Sequence, residues 1–471
     1  MLIRRPYPHF DIVADNHLIG PTAEPTFDNA QNRIGHFQRE AINLVVDALG
    51  PQQFIFRLHV GVLQRDKERE DTARSKTIWH YEKVPLVNGP DIAPHRRPRA
   101  NGLQAIDASI IIIANRASAL HMKLPKSNDT RWESRMINAA IVGLGWWGKV
   151  LVQSVQNKSD KIRFTAGAVR TPSKVADFAE EQGFTLHDSL DGVLADDAID
   201  AVVFATPHSR HVEQIVATAA AGKHVFMEKP LTLTKADAEE AVAATQKAGV
   251  ALAVGFNRRY SPAVAALREQ IESDTLGTLL HWEGTMCAPI GMALTADAWR
   301  ADKRETPAGG LTPMAIHIID IMIDLLGEVD EVYCQSFRRI VPNDHDDTTS
   351  ILFRMKNGMS GYVGTLLATH PSFRMHIWGS EGSTEIRNPD MSAFLYTPNN
   401  TGQITGAAGV INTDERDFEG FDTISAELEG FADAASGGTP YPVTPAQAIH
   451  GCAVIEAIVK SAEGGTAVKV G

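Results

Sequence analysis

Three segments of this chain carry residue types whose spacing could do chemistry. In Gly143-Leu144-Gly145-Trp146-Trp147-Gly148 the glycines fall as GxGxxG, directly after the apolar run Ile137 to Val142 and at the start of a helix candidate. There the first glycine permits a tight turn, the second lets backbone approach a diphosphate, and the third lets the helix pack close to the strand. The helix start then offers free N–H groups and a positive dipole end to the phosphates. The second segment, Glu228-Lys229-Pro230, follows another apolar run, His224 to Met227. A lysine at the mouth of a dinucleotide crevice can be drawn out of water and set near a cation, which lowers its proton affinity until it passes a proton at neutral pH. The third segment, Gly309-Gly310-Leu311-Thr312-Pro313-Met314-Ala315-Ile316-His317-Ile318-Ile319-Asp320, carries a histidine in an apolar helix candidate. His317 is the expected general base, the alternative being a structural histidine bonded to Asp320 or to backbone.

These groups need a scaffold, and the apolar periodicity describes one. From Met136 short apolar strands alternate with helices: strands at 137–142, 162–169, 201–205, 224–227 and 251–255, helices at 148–156, 173–182, 211–221 and 235–248. That rhythm predicts a doubly wound parallel sheet, an α/β dinucleotide-binding (Rossmann) domain over 136–258. From Arg259 the rhythm changes. Helices at 262–273 and 313–326 alternate with strands at 278–286, 329–337, 350–355, 361–368 and 373–379, which predicts an α+β domain over 259–471 with a mostly antiparallel open sheet. Residues 388–420, rich in Asn, Thr, Gly and Pro, read as a long loop, and 423–435 and 445–462 as terminal helices. Thr312 is placed to cap the 313–326 helix, with Pro313 at its first position. His317, Asp320 and Asp324 then share one polar stripe.

The tip of the second parallel strand selects between nicotinamide cofactors. A carboxylate there binds the ribose 2'-hydroxyl, whereas an arginine holds a 2'-phosphate. The tip reads Ala168-Val169-Arg170-Thr171-Pro172-Ser173-Lys174, without an acid. NADP is therefore the expected cofactor, through Arg170, with NAD the alternative.

The ordered set Gly143 to Gly148, Ala205-Thr206-Pro207-His208, Glu228-Lys229-Pro230 and Gly255-Phe256-Asn257-Arg258-Arg259-Tyr260 resembles the glucose-fructose oxidoreductase, inositol dehydrogenase and rhizopine-catabolism (Gfo/Idh/MocA) family over residues 136–471. The resemblance implies that Lys229 sits beside nicotinamide and the substrate hydroxyl, with Pro230 presenting it through a cis bond. It places Thr206, Pro207, His208, His211 and Glu228 around the cofactor with the glycine turn, and Arg259, Trp299, Arg300 and His317 around the substrate. It implies a sugar, inositol or related cyclic diol oxidised at a secondary alcohol, or the ketone reduced. The chain departs from the family at Pro313, where the family carries an Asp four residues before the His. That departure keeps open a second reading, a non-catalytic dinucleotide-binding sensor of the same fold.

Composition bounds the partners. The 471 residues hold 44% apolar and 22% charged residues, ordinary globular values, and no apolar run of the roughly 20 residues that span a membrane. Cys287, Cys334 and Cys452 lie far apart, so neither disulfides nor a metal site are expected, and a reducing, cytoplasmic setting follows. Residues 1–135 hold 19 Lys+Arg against 15 Asp+Glu, which leaves 26 against 42 for 136–471. An acidic body repels nucleic acid and anionic membranes. A homodimer or homotetramer through the open sheet is expected. Residues 1–135, rich in Arg, His and Pro and without sustained periodicity, are read as a non-family extension, disordered or produced by a mis-assigned start ahead of Met136.

Overall fold

The structure, a computed structural model, describes residues 42–48, 54–60, 136–295, 297–399 and 413–471. The chain divides into two units, Met1–Asn128 and Asp129–Gly471. In the first, β1 (Ile42–Ala48) pairs antiparallel with β2 (Phe54–Val60). These strands stand where the sequence shows only isolated apolar pieces. The reading of 1–135 as disordered or mis-assigned otherwise lies outside the described residues.

The second unit begins with a six-stranded sheet of β3 (Ile137–Val142), β4 (Ile162–Ala168), β5 (Thr185–His187), β6 (Ala201–Phe204), β7 (His224–Met227) and β8 (Leu252–Val254). Every pairing is parallel, in the order β5-β4-β3-β6-β7-β8. Strand β6 is Ala-Val-Val-Phe with all four residues buried, as a strand covered by helices on both faces requires. The connections are helical: α1 (Trp146–Val155), α2 (Ala176–Gln182), α3 (Leu190–Leu194), α4 (His211–Ala220) and α5 (Lys235–Ala248). Helix α5 shows why such segments start and stop where they do. The Thr234 hydroxyl accepts from the Asp237 N–H at 3.2 Å, and Gly249 ends the helix in the left-handed region at φ 68°. Strand order reverses between β3 and β6, the place at whose carboxyl ends doubly wound sheets bind their ligands.

Helix α6 (Pro262–Glu272) leads to β9 (Leu279–Cys287), and α7 (Ile316–Leu326) to β10 (Val329–Phe337), β11 (Thr348–Met355), β12 (Ser360–Leu366), β13 (Ser372–Gly379), β14 (Gly382–Arg387), β15 (Ala393–Pro398) and β16 (Asp414–Asp417). Then come α8 (Thr423–Ala435), α9 (Pro445–Gly464) and β17 (Val468–Lys469). The sheet runs β16-β15-β14-β13-β9-β12-β11-β10-β17 and is antiparallel except between β9 and β12. Helix α7 packs on one face. Gly284 of β9 makes room for it, since a Cβ there would lie 2.7 Å from Ile318 Cγ2. The other face is open: Tyr333, Leu352 and Tyr362 stand in register across β10, β11 and β12, with Leu352 exposed.

Three expectations are corrected. Residues 388–420 are not one loop, because β15 and β16 pair there and extend the sheet. The helix expected from Pro313 begins at Ile316, after a wide turn over Leu311–Ala315 in which Ala315 N–H reaches Gly310 O at 3.0 Å. Proline has no N–H and its ring crowds the preceding turn, so regular spacing starts only beyond it. Thr312 caps nothing with its side chain, and its buried hydroxyl has no partner. No helix among the described residues is long and apolar enough to cross a membrane.

Candidate active site

The glycine turn lies between β3 and α1. Gly143 has φ 98°, and a Cβ there would come within 2.4 Å of Ala205 O; a Cβ on Gly148 would come within 2.0 Å of Gly143 O. These two glycines are demanded by the close passage of α1 over β3 and β6. A Cβ on Gly145 would meet nothing within 4 Å beyond its chain neighbours, so the middle glycine faces open space. Gly145 is also the N-cap of α1, with no side-chain cap and no acid in the first turn. The first N–H groups of the helix are thus left for an anion, which fits a cofactor diphosphate. Leu144 is buried beneath the turn, Trp146 is 76% exposed beside it, and Trp147 packs against Trp146 at 5.4 Å with its indole next to Glu228.

After β6, Thr206 Oγ1 donates to Gln214 Oε1 at 2.6 Å and Pro207 turns the chain. His208 Nδ1 lies 2.5 Å from Glu305 O, and Ser209 N–H donates to Glu305 Oε2 at 3.0 Å. The His208 ring meets Trp299 edge-on at 5.1 Å, and the Arg300 guanidinium lies over Trp299 at 4.2 Å. The 299–305 segment is thereby clamped to the turn after β6.

Lys229 follows β7, with a cis bond to Pro230 as expected. Its Nζ donates to Pro313 O at 3.1 Å and to Thr312 O at 3.3 Å. The wide turn that precedes α7 thus holds the lysine. Burial pushes the Lys229 ammonium down from 10.5 to about 8; Glu228 opposes the shift and Arg300 and Arg258 add to it. His317 is buried on α7, its Nδ1 without a partner. Burial first, then the charges of Lys229 and Arg258, keep its imidazole well below its ordinary 6.5, so it is neutral and able to accept a proton. Glu228 lies under Lys229 against Gly255, and burial raises its carboxyl while Lys229 holds it down.

Two expected site residues serve other ends. Arg259 donates from Nε and Nη2, one edge, to the two oxygens of Asp320 at 2.7 Å, and from Nη1 to Asp324 at 2.9 Å, Gln447 Oε1 at 3.0 Å and Pro442 O at 3.2 Å. With its side chain 2% exposed, it braces α7 and has nothing left for substrate. Asp320 accepts from Arg259 at both oxygens, and the bond considered between that acid and His317 is not formed: His317 Nδ1 has no partner. His211, buried on α4, faces Pro230 O at 3.0 Å, Leu231 O at 3.1 Å and Thr206 O at 3.2 Å. It ties two turns together and presents no free edge to a cofactor. Arg170 is exposed at the tip of β4.

Two residues not singled out from sequence belong here. Arg258 stacks on Phe373 at 4.7 Å and lies within electrostatic reach of both Lys229 and His317. Glu427 of α8 is 0% exposed with neither oxygen partnered; burial and the neighbouring Glu228 raise it well above the carboxylate range. An acid on the apolar stripe of α8, beside Leu428, Phe431 and Ala432, is the signal that could have found it.

A parallel sheet with a diphosphate turn, and a low-affinity lysine beside a neutral histidine at its open end, define a dinucleotide-dependent oxidoreductase. The chain belongs to the Gfo/Idh/MocA family: residues 137–256 match its oxidoreductase family, NAD-binding Rossmann fold, and residues 264–385 match the GFO/IDH/MocA C-terminal domain. It is 28% identical over 265 residues to myo-inositol 2-dehydrogenase of Thermotoga maritima, covering 55% of this chain and 77% of that protein. It is 30% identical over 276 residues to 2,7-anhydro-N-acetylneuraminate hydratase of Escherichia coli, covering 55% and 70%. Among solved structures, levoglucosan dehydrogenase in complex with NADH and L-sorbose superposes with a TM-score of 0.63 at 24% identity, over 71% of this chain and 99% of that one.

Proposed function

We propose that this oxidoreductase transfers a hydride between NADP and a secondary alcohol or ketone of a sugar, inositol or related cyclic diol. The observation that carries the reading is Lys229, half-buried at the crevice with an ammonium near 8 and set against the neutral His317. In oxidation His317 takes the hydroxyl proton with Lys229 in support, and the carbinol hydrogen leaves as hydride. The nicotinamide, when bound, supplies the hydride acceptor. Reduction reverses both transfers. Gly143, Gly145 and Gly148 with the start of α1 would hold the diphosphate, and Thr206, Pro207, His208 and Glu228 would border the nicotinamide end. Trp299 and Arg300 would border the substrate.

Arg170, without a carboxylate beside it on the β4 tip, favours NADP over NAD. The names of relatives, myo-inositol 2-dehydrogenase and levoglucosan dehydrogenase, support a polyol or sugar substrate. Residues 136–258 would bind the cofactor, and 259–471 the substrate and a second copy. Leu352 and Leu366, exposed on the uncovered sheet face, support a homodimer or homotetramer. The three cysteines, free and buried, suit the cytoplasm. The sensor alternative is disfavoured by the retained Lys229 and His317. Incubating the protein with NADP or NAD and a panel of polyols, while following absorbance of reduced cofactor, tests the reading; binding without turnover of any member would favour the sensor.

A further inference from the structure

The charges around Lys229 are lopsided. Arg258 and Arg300, from different segments, both lie within electrostatic reach of its Nζ. Neither makes an ion pair among the described residues. The Arg258 side chain has one hydrogen bond, from NH1 to Pro389 O at 3.2 Å, and the Phe373 ring beneath it. Among the described residues the Arg300 guanidinium has the Trp299 ring and, within electrostatic reach, Glu228. Acids are not scarce: Asp+Glu outnumber Lys+Arg 42 to 26 over residues 136–471. Yet those near the crevice are committed elsewhere. Asp320 and Asp324 are bound by Arg259, Glu427 is fully buried, Glu228 faces both Lys229 and Arg300, and Asp390 lies within electrostatic reach of Arg258 without forming an ion pair with it. Position 313, where the family resemblance calls for an acid, holds Pro313. The cofactor does not explain these cations, because its diphosphate is provided for at Gly143 to Gly148 and its nicotinamide ring is neutral or positive.

We infer that the substrate carries an anionic group, a carboxylate or a phosphate ester, held by Arg258 and Arg300 beside Lys229. This inference rests on the polyol oxidoreductase reading and narrows it to acidic sugars or polyols. Two guanidinium groups backed by aromatic rings are held in place with their N–H edges free, which suits bidentate capture of an oxyanion. The missing acid at 313 removes the repulsion that such a substrate would otherwise meet.

The test is calorimetric titration of the protein saturated with NADPH, using glucose, glucuronate and glucose 6-phosphate as probes. At least one of the two anions is expected to bind about 10-fold or more tighter than glucose, the lower range for a charge-assisted hydrogen bond. Which anion gains identifies the group. Arg258→Gln and Arg300→Gln are each expected to weaken that anion about 10-fold or more beyond any loss of glucose affinity. Thermal melting confirms that each variant is folded. Equal affinity for the three probes, or variants that weaken glucose and anion alike, would overturn the inference. Turnover of the same probes separates it from the reading beneath it: anion preference without turnover sustains the inference and removes the dehydrogenase, whereas turnover of neutral polyols without anion preference does the reverse.

Discussion

Replacing Lys229 by arginine separates its charge from its proton. Arginine keeps the cation beside Glu228 and can still donate to the carbonyls of Thr312 and Pro313, but a guanidinium does not deprotonate in a protein. With Lys229 lowered to about 8, about one molecule in ten carries a neutral amine at pH 7; at its ordinary 10.5 the fraction would be about one in three thousand. The neutral form is the one that can relay onward the proton that His317 takes during oxidation. The pH profile of kcat/KM for oxidation is therefore expected to rise about tenfold per unit up to about 8 and then level, and the profile for reduction to fall above it. His317 adds no limb in this window, because it is neutral throughout. In Lys229→Arg the limb near 8 is expected to vanish and turnover to drop at least ~100-fold, with dinucleotide affinity within a few-fold of the parent. Initial rates across pH, with cofactor binding followed by fluorescence, give both numbers. A limb near 8 that persists in the arginine variant, or turnover within about threefold of the parent, would refute proton transfer through this lysine.

Arg170→Ala is expected to raise the Kd for NADP at least ~10-fold and leave that for NAD within about twofold, since only NADP loses a charge-assisted phosphate bond; equal effects would remove the 2'-phosphate assignment. Arg259→Met leaves Asp320 and Asp324 buried without their main partner, so urea unfolding is expected to show a loss of about 3–5 kcal/mol, and a change under 1 kcal/mol would show that the cluster is not a brace. Residues 136–471 expressed alone are expected to fold and bind cofactor as the full chain does, and an insoluble product would assign residues 1–135 a structural part.

The parallel sheet was legible because its strands are buried on both faces and its helices are punctuated locally. The run Ala-Val-Val-Phe at 201–204 and the Thr234 and Gly249 caps mark elements without reference to anything distant. Strands β5, β16 and β17 escaped because they are edge elements of two to four residues, few of them buried, and β14 and β15 because the Gly, Asn and Pro around them read as turns; in each case pairing with a neighbour, and not the segment's own pattern, makes the strand. The division of labour between Arg258 and Arg259 was illegible for the same reason. The two are adjacent and chemically identical, and only the packing of α7 and α9 decides that one meets Asp320, Asp324 and Gln447 while the other faces Lys229.

Pro313 joins these observations into one account of the proton. The family resemblance implies a carboxylate where this chain has Pro313, and the structure shows two backbone carbonyls receiving the lysine from the turn that the proline widens. A carbonyl oxygen accepts an N–H bond as a carboxylate does, so Lys229 is held in place, but it binds no proton at working pH and carries no full charge to raise the lysine's affinity. Glu228 is the nearest remaining counter-charge, and burial weakens its ionised form. With a second carboxylate at 313 the ammonium would be stabilised and its titration moved upward, out of the working range. With proline there, the lysine releases its proton near 8, and the same deficit of negative charge leaves Arg258 and Arg300 without an ion pair among the described residues. One substitution thus accounts for both the expected pH limb and the free cationic edges at the substrate end of the crevice.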